Sequence, residues 1–536
     1  MKRLALILLC LATFAASAAN YYVRPNGTTY GTSSGNSWNN AITGLNGISW
    51  GSISPGDTIW VAGGTYTGSL VPTVSGSSGG SHITVARARS DSTACTSAAG
   101  WTSTFDNQVL QTDSGFGFDI NTPSYIDVTG ANTASSGTNG GWKCNCPSYT
   151  GEQYILQMKD AHTVSVSYVW TKGPGHVTYS GDSRAVSATG TATSVSFTNC
   201  VFEGSTTAVL LSGATSFTFD HCQWYDCSAV NSGSWHPNGI WCAGVNGLTL
   251  RYCIFKLGPE GYGCGEGVFA EQSGGNANWK IYGCIFQDLN TSGLKAIEIT
   301  SAVNGLLCYN NTFINIIVPG IWFNGGSATG TSESKNNLAY GTTLDSFGTT
   351  ANNLVASSSS VFINYGTRDL HIVATTGANY PRQAGATLSS PYNLDPDGVT
   401  RGSDGTWSIG AYEYTAGGGG DVTSPTVTIT TPSDDPHDSG TSSSVSISGT
   451  ASDNVGVTSI TYASDRGDSG TASGTTSWSF TGSLANGANN YTVTAHDAAS
   501  NTGTDTVQIN TDLSGGGSWS APKIVVTGNA YIGTLK

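Results

Sequence analysis

Ser194-Val195-Ser196-Phe197-Thr198-Asn199-Cys200-Val201-Phe202 returns as Phe217-Thr218-Phe219-Asp220-His221-Cys222-Gln223-Trp224 and as Leu248-Thr249-Leu250-Arg251-Tyr252-Cys253-Ile254-Phe255. It returns again as Trp279-Lys280-Ile281-Tyr282-Gly283-Cys284-Ile285-Phe286 and Leu306-Leu307-Cys308-Tyr309-Asn310-Asn311-Thr312-Phe313, then fades at Asn336-Asn337-Leu338. Each copy alternates between two faces, then places a Cys or Asn two positions before a large apolar residue. Positions 200, 222, 253, 284, 311 and 337 are separated by 22, 31, 31, 27 and 26 residues. A variable period with two-residue alternation inside each unit predicts an all-β solenoid, one coil per repeat, with insertions confined to turns. In such a fold, function is sought down columns of stacked residues rather than along the chain.

Working outward, the chain begins with Lys2-Arg3, an apolar run to Ala16 and the small residues Ala16-Ser17-Ala18, the pattern of a secretory signal peptide over 1–19. Leu8-Leu9-Cys10 lacks the small residue a lipoprotein cysteine needs, and no other stretch approaches the length of a spanning helix, so membrane insertion is not expected. Gly 72 of 536 residues with only 10% charged residues favours turns and strands over helix, while 14 Trp, 23 Tyr and 16 Phe exceed what a disordered chain carries. A net charge of -14 argues against nucleic acid as a partner. A polyanionic substrate would need a cationic patch or bound cations; no cofactor is specified by the residues, and calcium stays open. Eleven cysteines follow the signal segment. Cys200, Cys222, Cys253 and Cys284 fall at one site of successive coils and read as a buried column of thiols. Cys144, Cys146, Cys227, Cys242 and Cys264 lie in or near insertions and are open to bridging.

Tyr21-Tyr22-Val23-Arg24-Pro25-Asn26-Gly27, Gly35-Asn36-Ser37-Trp38-Asn39-Asn40-Ala41 and Pro55-Gly56-Asp57-Thr58-Ile59-Trp60-Val61, in that order, resemble the opening of secreted right-handed parallel β-helix proteins of the pectate-lyase-like type. Asp395-Pro396-Asp397-Gly398-Val399-Thr400-Arg401 and Trp407-Ser408-Ile409-Gly410-Ala411-Tyr412-Glu413-Tyr414 resemble the closing segment of the same proteins, which implies a cover over the far end of a solenoid spanning 20–414. The capping helix usual in the family is poorly supported over the Gly-rich 43–53. A Gly-rich linker is expected over 415–424. Beyond it, 425–511 alternates in short runs such as Thr426-Val427-Thr428-Ile429 and Tyr491-Thr492-Val493-Thr494, predicting a small antiparallel β-sandwich. Ser452-Asp453 and His496-Asp497-Ala498-Ala499-Ser500-Asn501 resemble bacterial immunoglobulin-like modules. A second linker and a strand-like tail complete the chain at 512–536.

Aligned on the repeat, the strand that follows the aromatic spans 185–189, 208–212, 239–243, 267–271, 296–300 and 320–324. Its apolar positions point inward, so the position between them points out. That outward column reads Ser187, Leu210, Trp241, Phe269, Glu298, Trp322. Three aromatics around a carboxylate on a solvent face suit the apolar faces of sugar rings, Trp241 to Trp322 spanning roughly 14 Å at about 4.8 Å per coil. Turns folded over this face would instead make the aromatics ordinary packing. A neighbouring column holds Arg184, Thr207, Asn238, Glu266 and Lys295. Lys295 is a candidate base for proton abstraction, although a Glu266 partner opposes the lowered pKa this needs, and a surface ion-pair ladder is the plainer reading. Glu271 and Glu298 are the candidate carboxyl pair for glycoside hydrolysis, or simply two solvated glutamates.

Ser234-Trp235-His236-Pro237-Asn238-Gly239-Ile240 resembles a His-Pro-Asp-Gly-Ile phrase of β-helix proteins, with Asn238 in place of the acid. His236 is a candidate base or sugar contact, and Glu260 is positioned to reach over the same face. The Asp cluster with Arg pair of calcium-dependent pectate lyases and the motif series of polygalacturonases are absent from the sequence. The expectation is therefore a secreted, monomeric β-helix protein that binds an extracellular polysaccharide as a lyase or glycoside hydrolase of open chemistry. The rival is a non-catalytic surface adhesin or spacer, since fold alone does not give function.

Overall fold

The computed structural model describes residues 18–112, 117–130, 141–146, 153–175, 183–227, 237–259, 261, 265–271, 275–289, 295–415, 424–453, 457–497 and 501–513. Its contacts divide into two units, Met1–Tyr414 and Thr415–Lys536. Within the first, the described strands form three long parallel sheets of 14, 11 and 8 strands. One coil runs Thr193–Thr198 in the first sheet, Val201–Glu203 in the second and Thr207–Ser212 in the third, before Thr215–Asp220 starts the next. The fold is a parallel β-helix.

The repeated phrase occupies the corner between the first and second sheets. Its polar residue bends the chain there in the left-handed region: Asn199, His221, Tyr252, Asn310, Asn336 and Asn352 all have φ between 52° and 58°. At the equivalent Gly283, φ is +64° and a Cβ would lie 2.6 Å from the Tyr252 ring, so this rung takes glycine. The next residue points inward and stacks. Cys200, Cys222, Cys253 and Cys284 are buried free thiols, as are Cys144 and Cys242, so none of these forms a bridge; Cys146 and Cys227 are buried as well. Cys264 lies outside the described residues.

The thiol column continues as asparagines. The amide nitrogen of Cys284 donates to Asn311 Oδ1 (3.0 Å), that of Asn311 to Asn337 Oδ1 (3.1 Å) and that of Asn337 to Asn353 Oδ1 (2.8 Å). Asn353 marks a further copy, 16 residues after Asn337, that the sequence reading did not include. The repeated aromatics form a second internal column, with neighbouring rings of Phe202, Trp224, Phe255, Phe286 and Phe313 4.5–5.2 Å apart. Asn337→Leu would strand the buried Asn311 N–H and Cys308 carbonyl, which Asn337 now pairs. A loss of about 1–3 kcal/mol for each stranded group is expected in chemical denaturation. Asn353→Ala, at the half-buried end of the column, should cost less.

The closing segment does more than the expected covering of the far end. It runs back along the corner, where Asn352, Asn336 and Asn310 side chains donate to the carbonyls of Ala384 (2.7 Å), Ala386 (2.8 Å) and Tyr392 (3.2 Å). Tyr252 reaches the Leu394 carbonyl (3.5 Å) and His221 the Pro396 carbonyl (3.0 Å). The left-handed corner residues point outward and supply one polar side chain per rung, which is why a strap can bind there. Asp395 shapes its turn by accepting from the amides of Asp397 (3.0 Å), Val399 (2.8 Å) and Glu413 (3.0 Å). At the other end, 38–52 holds three short 3-10 turns rather than a capping α-helix.

The second unit packs a three-stranded sheet (Thr426–Thr431, Ser444–Ser452, Ser477–Ser483) and a five-stranded sheet around Ile447, Trp478, Tyr491, Val493 and Ile509. Every pairing is antiparallel except His437–Asp438 beside Thr502–Thr511. The Asp497 and Asn501 of its signature phrase close a turn, Asn501 donating to both carboxylate oxygens (2.8 and 2.7 Å). Residues 514–536 fall outside the description. Among the described residues no helix is long and apolar enough to cross a membrane.

Candidate functional site

The third sheet pairs Ser187 with Leu210, Leu210 with Trp241, Trp241 with Phe269, Phe269 with Glu298 and Glu298 with Trp322. Asn238, Glu266 and Lys295 pair in the same way one column over. The inward positions Val186, Val209, Ile240, Val268, Ile297 and Ile321 are fully buried and hold this register.

Trp241, Phe269 and Trp322 are half-buried, with the Trp241 and Phe269 ring centroids 6.5 Å apart. Glu298 departs from the expected solvent carboxylate: it is 2% exposed. Its Oε2 accepts from Lys295 Nζ at 2.6 Å and its Oε1 from Asn324 Nδ2 at 2.8 Å. Lys295 also reaches Glu266 Oε1 at 3.5 Å and lies 4.7 Å from the Trp322 ring centroid. Glu266 is 3% exposed, so the expected surface ladder is a buried cluster of two carboxyls around one ammonium, roofed by an indole.

Burial pushes the Glu266 carboxyl up to about 7; Lys295 opposes the shift, and the Glu298 charge and hydrogen bond add to it. Near neutral pH Glu266 is therefore divided between its protonated and ionised forms, with the Lys295 ammonium beside it and aromatic surface around it. Among the described residues Asn238, fully buried beside Glu266, has no hydrogen-bond partner at either end of its amide.

Glu271 is half-buried and accepts from the Trp241 indole at 3.0 Å, which orients the ring. It joins Trp241 rather than the Lys295 cluster. His236 and Glu260 lie outside the described residues. Asn324 was not singled out from the sequence, although it sits two positions beyond Trp322 and so on the same outward face. Also missed was a group on the second sheet: Lys143 Nζ lies 3.3 Å from the Trp170 ring centroid, and the Trp170 indole donates to Glu203 (2.7 Å), which pairs with Lys172. Its signal was a Lys and a Trp at equivalent positions of adjacent coils. Among the described residues no three His, Cys, Asp or Glu side chains converge to hold a metal.

Residues 176–344 match the family model of the right handed beta helix region, and residues 425–495 that of the bacterial Ig domain. The chain thus carries a right-handed parallel β-helix and a bacterial immunoglobulin-like domain. No curated protein matches it. Among solved structures it is similar to an alginate lyase from Paenibacillus sp. str. FPU-7, with 12% identity over 57% of this chain and 95% of that one, TM-score 0.26. It is similar to the A-module of the Azotobacter vinelandii mannuronan C-5 epimerase AlgE4, with 12% identity over 55% and 87% of the two chains, TM-score 0.21. It is also similar to the Clostridium thermocellum CbhA fibronectin(III)-like modules, with 24% identity over 17% of this chain, TM-score 0.15; the match spans 48% of that structure.

Proposed function

We propose that this protein is a secreted carbohydrate-active β-helix protein. It holds an extracellular polysaccharide along Trp241, Phe269 and Trp322 and acts on it through Glu266, Lys295 and Glu298. The observation that carries the reading is a carboxyl raised to about 7 beneath a row of half-buried aromatics. A group with that pKa gives or takes a proton with nearly equal ease at neutral pH, as general acid–base chemistry at a glycosidic oxygen or a sugar C–H requires. Lys295 is paired with Glu298 and balances its charge, so the resting cluster with Glu266 protonated is neutral. Asn238, whose amide has no hydrogen-bond partner among the described residues, lies beside the reacting carboxyl.

A second reading, binding without turnover, is favoured by the burial of both carboxyls. A panel of polyuronates and neutral glycans separates the two. Ultraviolet absorbance of unsaturated products reports a lyase, new reducing ends a hydrolase, and retention on immobilised glycan with neither product a binding protein. Trp241→Ala and Trp322→Ala are expected to weaken glycan retention about tenfold each without altering the melting temperature. Normal retention by both variants would assign these rings to packing and remove the glycan from this face.

A further inference from the structure

Where the strap meets the corner at Pro396, its turn Asp395-Pro396-Asp397-Gly398-Val399 is gripped by two histidines from different elements. His221 comes from the corner between the first and second sheets. Its Nδ1 faces Asp220 Oδ1 at 2.7 Å and its Nε2 the Pro396 carbonyl at 3.0 Å. His371 comes from the strand Asp369–Ile372. Its Nδ1 faces Asp369 Oδ1 and its Nε2 Asp397 Oδ2, both at 2.6 Å. Each imidazole thus stands between two acceptors. Neither a carbonyl nor an ionised carboxylate has a hydrogen to give, so both ring nitrogens must donate, and a neutral ring carries only one N–H.

In both residues one contact is local and the other holds the strap. When a ring loses a proton, the strap contact is the one given up. In His221 the remaining proton stays with the Asp220 carboxylate, a stronger acceptor than the Pro396 carbonyl. In His371 it stays with Asp369, 28% exposed, because water more readily replaces a bond to Asp397, 46% exposed. The surroundings favour the charged rings. Burial lowers the His371 pKa, but the hydrogen bonds and charges of Asp397 and Asp369 outweigh it and hold it above the ordinary value. The ring stacks on Tyr412, centroids 3.9 Å apart, whose phenol burial keeps protonated, and Asp395 spends its carboxylate on backbone amides. His221 is likewise raised against burial, by Asp220 and the Pro396 carbonyl, with the Cys222 thiol adding to them. Arg251 takes the other Asp220 oxygen at 2.6 Å, and the Tyr252 ring lies 5.0 Å from the imidazole.

We propose that His221 and His371 form a pH-sensitive latch on the strap, closed when both rings are doubly protonated and open when each keeps a single proton for its own neighbour. A histidine whose folded-state pKa is raised contributes its stability in full below the ordinary histidine value and loses it as the pH rises through the folded value. The latch therefore opens on the alkaline side. What opens is the 394–399 turn, since the contacts of Asn310, Asn336 and Asn352 to strap carbonyls involve no titratable side chain and stay closed. The device is separate from the Glu266 cluster on the third sheet and does not rest on its chemistry.

Hydrogen exchange of the full chain at about pH 5 and about pH 9, expressed as protection relative to free-peptide rates, tests this. Protection of the Asp397 and Val399 amides is expected to fall about tenfold, the effect of losing one charge-assisted hydrogen bond, while the corner amides of Asn310 and Asn336 keep theirs. His221→Gln combined with His371→Gln cannot titrate and should show the same protection of the turn at both pH values. Nitrogen-15 labelling of the histidines in the unaltered chain counts ring protons directly and covers the case in which the double variant folds poorly. Both rings should be doubly protonated at about pH 6, and each should lose a proton as the turn loosens. A singly protonated ring at either position at about pH 6, an equal fall at Asn310 and Asn336, or a fall of the same size in the double variant overturns the proposal.

Discussion

Glu266→Gln is expected to lower turnover of the glycan substrate by about 10²–10⁴-fold, the usual worth of a positioned acid–base group, while leaving glycan retention intact. The same change should make the protein less sensitive to alkali. Burial holds the folded-state pKa of Glu266 at about 7 against an ordinary 4.5, so the folded chain binds this proton more tightly than the unfolded chain. The stability so gained is complete below pH 4.5 and is lost as pH rises through 7, a fall of about 3 kcal/mol over that window by linkage. Glutamine stays neutral and keeps its shape, so the variant should lack this part of the decline. Chemical denaturation at pH 5 and pH 8 reads the difference directly. An acid–base role for Glu266 that trades stability for a poised proton predicts both effects together. Full activity in Glu266→Gln would end the acid–base role, and an unchanged pH profile of stability would mean that Glu266 ionises normally.

The third-sheet register could be read from the sequence because its causes are local. Strand side chains alternate with a period of two, and the returning Cys or Asn marks where each coil turns its corner, so Trp241, Phe269, Glu298 and Trp322 fall in one column without any knowledge of their surroundings. The burial of Glu298 depends instead on the reach of Lys295 and Asn324 across the face, which alternation does not encode. The raised pKa of Glu266 follows from the same burial and was out of reach for the same reason. The Asn353 rung escaped because its coil is short: after Leu354–Ala356 the chain leaves the solenoid instead of building a third-sheet strand. The strap's course was hidden by distance, since His221 meets Pro396 across 175 positions. Once the fold is known, its signal is plain in retrospect: a polar or aromatic residue precedes the inward Cys or Asn in nearly every copy, and those are the groups that hold the strap.

That strap gives the largest stability effect expected of one substitution. Arg401 and Glu413 are both fully buried, their charged groups 3.6 Å apart. Arg401 also donates to the carbonyls of Leu394 (3.3 Å), Gly410 (3.1 Å) and Ala411, and Glu413 accepts from the amide and hydroxyl of Ser408 (2.9 and 3.0 Å). One guanidinium thus ties the two ends of the 394–411 loop to each other. Arg401→Ala strands three carbonyls and leaves a buried carboxylate without its cation, a cost of about 3–5 kcal/mol. Glu413, whose pKa burial already raises, would then take up a proton, so the variant should recover part of its stability as the pH falls. Replacing both partners by apolar residues, Arg401→Met with Glu413→Leu, should cost less than either change alone, because neither charge is left uncompensated. Since each coil of a solenoid contacts mainly its neighbours, the damage should stay local. Hydrogen exchange should quicken over 381–414 and at the corner amides near Asn310, Asn336 and Asn352, with the coils around Cys144 and Trp170 unchanged. Uniform loss of protection along the whole helix would mean that the strap is integral to the solenoid rather than laid upon it.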